Sequence, residues 1–202
     1  MENIVRHDYQ INREARNRRN KHHSFVIWFT GLSGAGKSTI ANLVEQELFN
    51  RNIHTYSLDG DNIRAGINKG LGFSESDRHE NIRRIGEIAR LFVDSGSIVI
   101  AAFITPLEKD REMLRDIIGK DDLVEVFVNT PLDECERRDV KGMYKKARAG
   151  IIKDFTGISA PYENPQSPDI EIHTGNQSIE SSVNQVMNSI SDRLKIIEVA
   201  RI

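Results

Sequence analysis

Residues 24–39 read SFVIWFTGLSGAGKST. Phe25 to Phe29 are apolar, β-branched or aromatic without a break, which predicts a short strand from Ser24 to Thr30 buried on both faces. Apolar residues resume at Ile40, Leu43, Val44 and Leu48, the spacing of one helix face, so a helix is expected from Thr39 to Asn50. Between the two, residues 31–38 fit G-x-x-x-x-G-K-[ST]. Gly31 and Gly36 permit backbone angles that a side chain forbids. The stretch Gly31, Leu32, Ser33, Gly34, Ala35, Gly36, Lys37, Ser38 and Thr39 can therefore turn its amide N–H groups around a phosphate, and the helix start adds its positive end. In this pattern Lys37 reaches the β- and γ-phosphates of ATP and the Ser38 hydroxyl ligates Mg²⁺. The dinucleotide fingerprint G-x-G-x-x-G is absent, and it would leave Lys37 unexplained.

The remainder alternates. Strands are expected at Ile53–Leu58, Ser97–Phe103, Leu123–Val128 and Ile170–His173. Helices are expected at Ser76–Ser95, with Ile82, Ile85, Ile88, Ala89 and Phe92 as its apolar stripe, at Leu107–Ile118, after Pro131 in the first turn, and at Ser178–Ile196. Residues between Asp59 and the Ser76 helix read as a polar loop. From Asp139 to Pro168 the pattern changes: Lys141, Lys145, Lys146, Arg148 and Lys153 crowd together before Gly and Pro breaks, an excursion and not a sheet element. Alternating strands and helices predict an α/β fold of the P-loop NTPase type, a mainly parallel sheet flanked by helices. The division is residues 1–23 as an N-terminal lead-in and 24–202 as a single P-loop domain.

The 202 residues carry a formal charge of -2, so no global field draws nucleic acid or membrane, and any anion site is local. The basic segment MENIVRHDYQINREARNRRNKHH has no apolar core and is not a secretory signal. It reads as a solvated, partly mobile lead-in, with a nucleic-acid arm as the weaker alternative. A single cysteine, Cys135, excludes an intramolecular disulfide and favours a reducing, cytoplasmic setting, with packing as its role. The six histidines show no zinc spacing, and His79 reads as peripheral.

The second expected strand ends in Asp59-Gly60-Asp61-Asn62, on the sheet edge where ligands of open parallel sheets gather. Asp61 can steer Mg²⁺ through water or accept a proton from an acceptor hydroxyl. Asp59 reads equally as a site residue and as an Asx turn capping the next helix. Arg64, Arg78, Arg83 and Arg84 suit a doubly anionic acceptor; the alternative is a salt-bridged helix surface with Glu75, Asp77, Glu80 and Glu87. Phe73 lies between glycine and polar residues, poor surroundings for a core position.

Four stretches resemble the adenylylsulfate kinase family: WFTGLSGAGKST, LDGDNIRAGINKGLGFSESDRHENIRRI, AAFITP-x-x-x-x-R and KGMYKKARAGIIKDFTGISAPYENP, spanning residues 28 to about 165. The resemblance implies phosphorylation of the 3′-hydroxyl of adenylyl sulfate by ATP. It implies that Arg64, Phe73, Arg78 and Asn81 bind the acceptor and that Phe155 and Phe73 sandwich its adenine. Asp61 would orient or deprotonate the hydroxyl, and Lys141, in a lid from Asp139 to Gly157, would neutralise charge near the transferred group. Arg137 would stack on the ATP adenine. A homodimer, and an ATP sulfurylase on a separate polypeptide, are implied as well. One departure is Thr105 in FITP, where the family often has a serine able to carry phosphate; direct in-line transfer is therefore favoured, with Thr105 lining the pocket. Open alternatives are a kinase for another nucleotide or a sugar acid, and a nucleotide-binding subunit without catalysis.

Overall fold

The computed structural model describes His7 and residues 9–195. Strand β1 (Val26–Thr30) leads through the glycine loop into helix α2 (Lys37–Asn50), then strand β2 (Thr55–Asp59). Short helix α3 (Gly60–Ala65) and long helix α4 (Glu75–Asp94) precede strand β3 (Ile98–Ala102). Helix α5 (Glu108–Ile118), strand β4 (Leu123–Val128), helices α6 (Leu132–Arg138) and α7 (Met143–Arg148), strand β5 (Ile170–Ile172) and helix α8 (Ile179–Ile190) complete the order. Helix α1 (Arg13–Asn20) precedes them all.

The five strands are parallel in the order β2-β3-β1-β4-β5. β1 is central in that order, and all five of its residues are buried. Its side chains divide by the period of two. Ile27 and Phe29, with Phe25 just before the strand, enter the core shared with α2 and α8, while Val26 and Trp28 enter the one shared with α4 and α5. Burying each such side chain stabilises the fold by about 1.5–3 kcal/mol. The chain runs from β1 outward to β2, returns to β3, then crosses to β4. The order reverses at β1, so the switch point opens beside the glycine loop.

Local chemistry sets the helix starts. Ser74 accepts from the Asp77 N–H and begins α4; Ser178 accepts from the Ser181 N–H and begins α8. Helix α5 has no cap of its own from Leu107, and Glu163 supplies one from afar, accepting the Glu108 N–H at 2.7 Å.

Four regions differ from the sequence expectation. The polar loop after Asp59 contains α3, because the Asp59 carboxylate accepts the Asp61 N–H at 3.0 Å and caps it. The N-terminal segment is docked where described: Asn12 caps α1, Arg13 pairs with Asp122 at 2.5 Å, and buried His22 accepts the His54 N–H at 3.1 Å. Residues 1–6 and 8 of that segment lie outside the described residues. Pro131 is the cap of α6, not its first turn, and α8 ends at Ile190; Ile196, the expected end, lies outside the described residues. Among the described residues no helix is long and apolar enough to cross a membrane.

Candidate active site at the carboxyl edge of the sheet

The glycine loop packs tightly against the strand ends. Gly31 has φ +147°, and a Cβ there would stand 2.6 Å from the Val128 carbonyl oxygen. Gly36, the residue before α2, has φ +106°, so the first amides of α2 face the loop without a side-chain cap. Three donors hold the loop from beneath through one acceptor. The Ala35 carbonyl receives the hydroxyls of Thr130 and Thr174 at 3.0 and 3.1 Å and the Arg138 guanidinium at 3.3 Å.

Lys37 is buried inside this ring. Its ammonium donates to the carbonyls of Gly31 and Leu32 at 2.9 and 2.7 Å. Burial pushes its pKa down to about 8, with Asp59 offsetting only part of the shift. Ser38 and Thr39 are exposed at the start of α2.

Asp61 projects from α3 into solvent. Lys141 crosses from the segment after α6 and donates to Asp61 Oδ2 at 2.7 Å, which raises the Lys141 pKa. Asp59 is engaged in capping α3.

The arginines separate into two groups. Arg83 and Arg84 both donate to Glu80 at 2.7 Å on the surface of α4, so they form the salt-bridged face and not an anion cluster. Arg64 and Arg78 remain. The Arg64 guanidinium lies 4.5 Å from the centre of the Phe73 ring and donates to the Gly72 carbonyl at 3.0 Å. Arg78 donates to the Phe73 carbonyl and to the Thr156 hydroxyl, each at 2.8 Å, and also to the Asp154 carbonyl. It thus stitches the Phe73 turn to the segment carrying Phe155. Phe73 is 64% exposed, whereas Phe155 is 8% exposed and packs edge-on against Tyr144 at 5.0 Å. Asn81 is buried and its Oδ1 accepts from Asn68 at 3.0 Å.

Two expected residues are engaged by neighbours of their own. Thr105 is buried, and its hydroxyl accepts the Trp28 indole N–H at 2.9 Å. Arg137 is exposed on α6 and pairs with Glu134 at 2.7 Å. Cys135 is buried under the loop, and burial pushes its thiol pKa up.

Sequence reasoning missed several groups. The Tyr144 hydroxyl donates to the Ser33 carbonyl at 2.8 Å, tying the cationic excursion to the glycine loop. Gly157 continues that tie, since a Cβ there would lie 3.0 Å from Leu32. Tyr162 shares a hydrogen bond with Thr30 at 3.0 Å. An aromatic residue inside the cationic run KGMYKKARAG was the available signal for Tyr144. Together these ties place the Phe155 segment directly on the loop that holds Lys37.

Comparison with known proteins identifies the family. The family described as adenylylsulphate kinase matches residues 23–173. An adenylyl-sulfate kinase of Bacteroides thetaiotaomicron is 56% identical over 188 residues, 93% of this chain and 94% of that protein. One from Lactiplantibacillus plantarum is 54% identical over 191 residues, covering 95% and 92%. The solved structure of an APS kinase of Mycobacterium tuberculosis in complex with AMPPNP and APS superposes with a TM-score of 0.81 at 45% identity, covering 84% of this chain and 99% of that one. With a glycine loop that encloses a buried lysine and relatives matched along nearly their whole length, the chain belongs to the adenylylsulphate kinase family, and it is a P-loop kinase.

Proposed function

We propose that this kinase transfers the γ-phosphoryl group of ATP to the 3′-hydroxyl of adenylyl sulfate, giving 3′-phosphoadenylyl sulfate and ADP. The observation that carries the reading is the Arg78 stitch, which joins Phe73 and its neighbour Arg64 to the Phe155 segment, itself tied to the glycine loop through Tyr144 and Gly157. In the reaction the 3′-oxygen forms a bond to the γ-phosphorus while the bond from that phosphorus to the β,γ-bridging oxygen breaks. The hydroxyl proton passes to Asp61, and ADP leaves. Gly31 to Thr39 supply amides and the Lys37 charge to the phosphates, so developing negative charge meets fixed donors. Arg64, Arg78 and Asn81 hold the phosphosulfate-bearing nucleotide, Phe73 and Phe155 flank its adenine, and Arg137 borders that of ATP. Lys141 bridges the cleft to Asp61, and the lid at about 139–160 excludes water that would hydrolyse ATP. The domain runs from residue 24.

The donor set fits Mg²⁺ delivered with the nucleotide. Among the described residues no three His, Cys, Asp or Glu side chains converge on one point, while the Ser38 hydroxyl and the Asp61 carboxylate stand exposed on the same edge. Mg²⁺ keeps several waters and uses one or two protein oxygens plus phosphates. When bound it neutralises charge across the β- and γ-phosphates. Thr105 supports direct transfer, because its hydroxyl is buried and already engaged by Trp28. A homodimer, a separate ATP sulfurylase as source of the acceptor and a cytoplasmic setting belong to the same reading and rest on the family resemblance and the free thiol.

The test is an acceptor screen with ATP labelled in the γ-position. Label should appear on adenylyl sulfate and not on AMP, gluconate or shikimate; transfer to one of those instead would overturn the reading. A second expectation concerns pH. In the free enzyme Lys37 loses its proton above about 8, whereas a bound triphosphate favours the charged form and raises that value. Binding of ATP above pH 8 should therefore take up a proton, and affinity should fall by up to about tenfold per pH unit in that range. Calorimetry in buffers of different ionisation heat reads the uptake; identical heats across buffers at pH 9 would contradict it.

A further inference from the structure

Arg111 ends the motif AAFITP-x-x-x-x-R and touches none of the reacting groups. It is 2% exposed, which is rare for a guanidinium. One arm, Nη1, donates to the Thr105 carbonyl at 2.9 Å. Nε and Nη2 donate to Glu108 at 3.1 and 2.6 Å, and Nε lies 3.4 Å from Glu125. Arg115 completes the group by pairing with both Glu108 and Glu125. Two guanidiniums and two carboxylates thus balance behind the turn after β3.

That turn is strained. Thr105 has φ +43°, a left-handed conformation that β-branched residues rarely adopt. Such a residue persists only when its surroundings hold it. Its neighbours also bind the site on three sides. The Ile104 carbonyl accepts the Gly31 N–H at 3.4 Å and the Thr30 hydroxyl at 2.7 Å, on the side of the glycine loop. The Pro106 carbonyl accepts the Glu163 N–H at 2.8 Å, on the strap beyond Phe155. Next to Arg111, Asp110 contacts His79 of α4 at 2.6 Å, on the acceptor helix. The turn is the joint where the three walls of the cleft meet.

We propose that Arg111 is a positioning residue for phosphoryl transfer: its bond to the Thr105 carbonyl holds that residue left-handed within the 104–106 turn and so fixes the spacing between the glycine loop and the acceptor wall. The inference rests on the kinase reading. Lysine keeps the charge but has no rigid fork, so it cannot serve the carbonyl and Glu108 in fixed geometry.

The chain contains one tryptophan, Trp28, and its indole N–H bonds to Thr105, so a single indole resonance reports the turn. In Arg111→Lys, kcat per folded molecule should fall about 10- to 100-fold, the scale of a misplacement near 1 Å, with KM for ATP changed less than about threefold and the indole resonance displaced. A purely structural role would lower the melting temperature and leave kcat per folded molecule alone. The inference is overturned by unchanged kcat, or by lost kcat with an unmoved indole resonance. Should that variant not fold, Glu108→Gln loosens the fork while keeping both guanidiniums, and the same paired changes are expected at smaller amplitude; unchanged kcat there overturns the inference. Wild-type enzyme inactive with adenylyl sulfate removes the kinase reading and this inference together, whereas active wild type beside an unaffected Arg111→Lys removes the inference alone.

Discussion

Replacing Lys37 by alanine is expected to lower kcat about 10³-fold or more while the protein stays folded, because a preorganised donor at developing charge is worth two to three orders of magnitude even when neutral. The geometry explains why the loss is confined to chemistry. Lys37 is buried and holds its charge against the cost of burial, as its depressed pKa records. Its partners are the carbonyls of the loop itself, Gly31 and Leu32. The loop is fixed independently through Ala35 by Thr130, Thr174 and Arg138, and through Ser33 by Tyr144. Removing the ammonium leaves those ties in place, so the melting temperature should shift by no more than about 4 °C. Turnover within tenfold of wild type would remove Lys37 from the reaction. A collapsed fold would show the lysine to be structural.

Asp61→Asn is the second large effect. The substitution keeps the shape, and the backbone N–H of residue 61 still reaches the Asp59 carboxylate that caps α3. What it removes is a proton acceptor and the partner of Lys141. A drop in kcat of about 10²- to 10⁴-fold is expected, the range for a positioned general base, with KM for ATP nearly unchanged. The measurement is steady-state turnover at saturating ATP. Loss expressed only in KM for adenylyl sulfate would assign Asp61 to binding and not to proton transfer.

The middle of the sheet was legible because β1, β3 and β4 are buried on both faces and read as largely apolar runs; Leu123–Val128 appears with the expected limits. The long helix α4 declared itself through its stripe, and Ile82, Ile85 and Ala89 are buried as expected. Helix α3 was not legible. Gly60, Asp61 and Asn62 are turn formers, and six residues form a helix there only because Asp59 caps them. Helix α1 was hidden for a related reason: its sequence REARNRRN carries no apolar face, and its docking depends on Arg13 and Asp122, 109 residues apart.

In the site, local spacing revealed the glycine loop and the Asp59–Asn62 turn, since their chemistry lies within a few residues. It could not divide the four arginines. Arg83 and Arg84 sit within one helical turn of Glu80 and pair with it, while Arg78 reaches segments far along the chain at Asp154 and Thr156. The strain at Thr105 and the burial of Arg111 were equally hidden, because both arise from packing between β3, β4 and α5.

The proposed function requires one cleft to hold a triphosphate and a sulfated adenosine at reacting distance. Release of ADP from Mg²⁺-ATP, measured in the presence and absence of adenylyl sulfate, tests it most directly. Rapid release that depends on adenylyl sulfate, with stoichiometric formation of the 3′-phosphorylated product, is the result this geometry requires. Release at the same rate without the acceptor, or none with it, would contradict the claim.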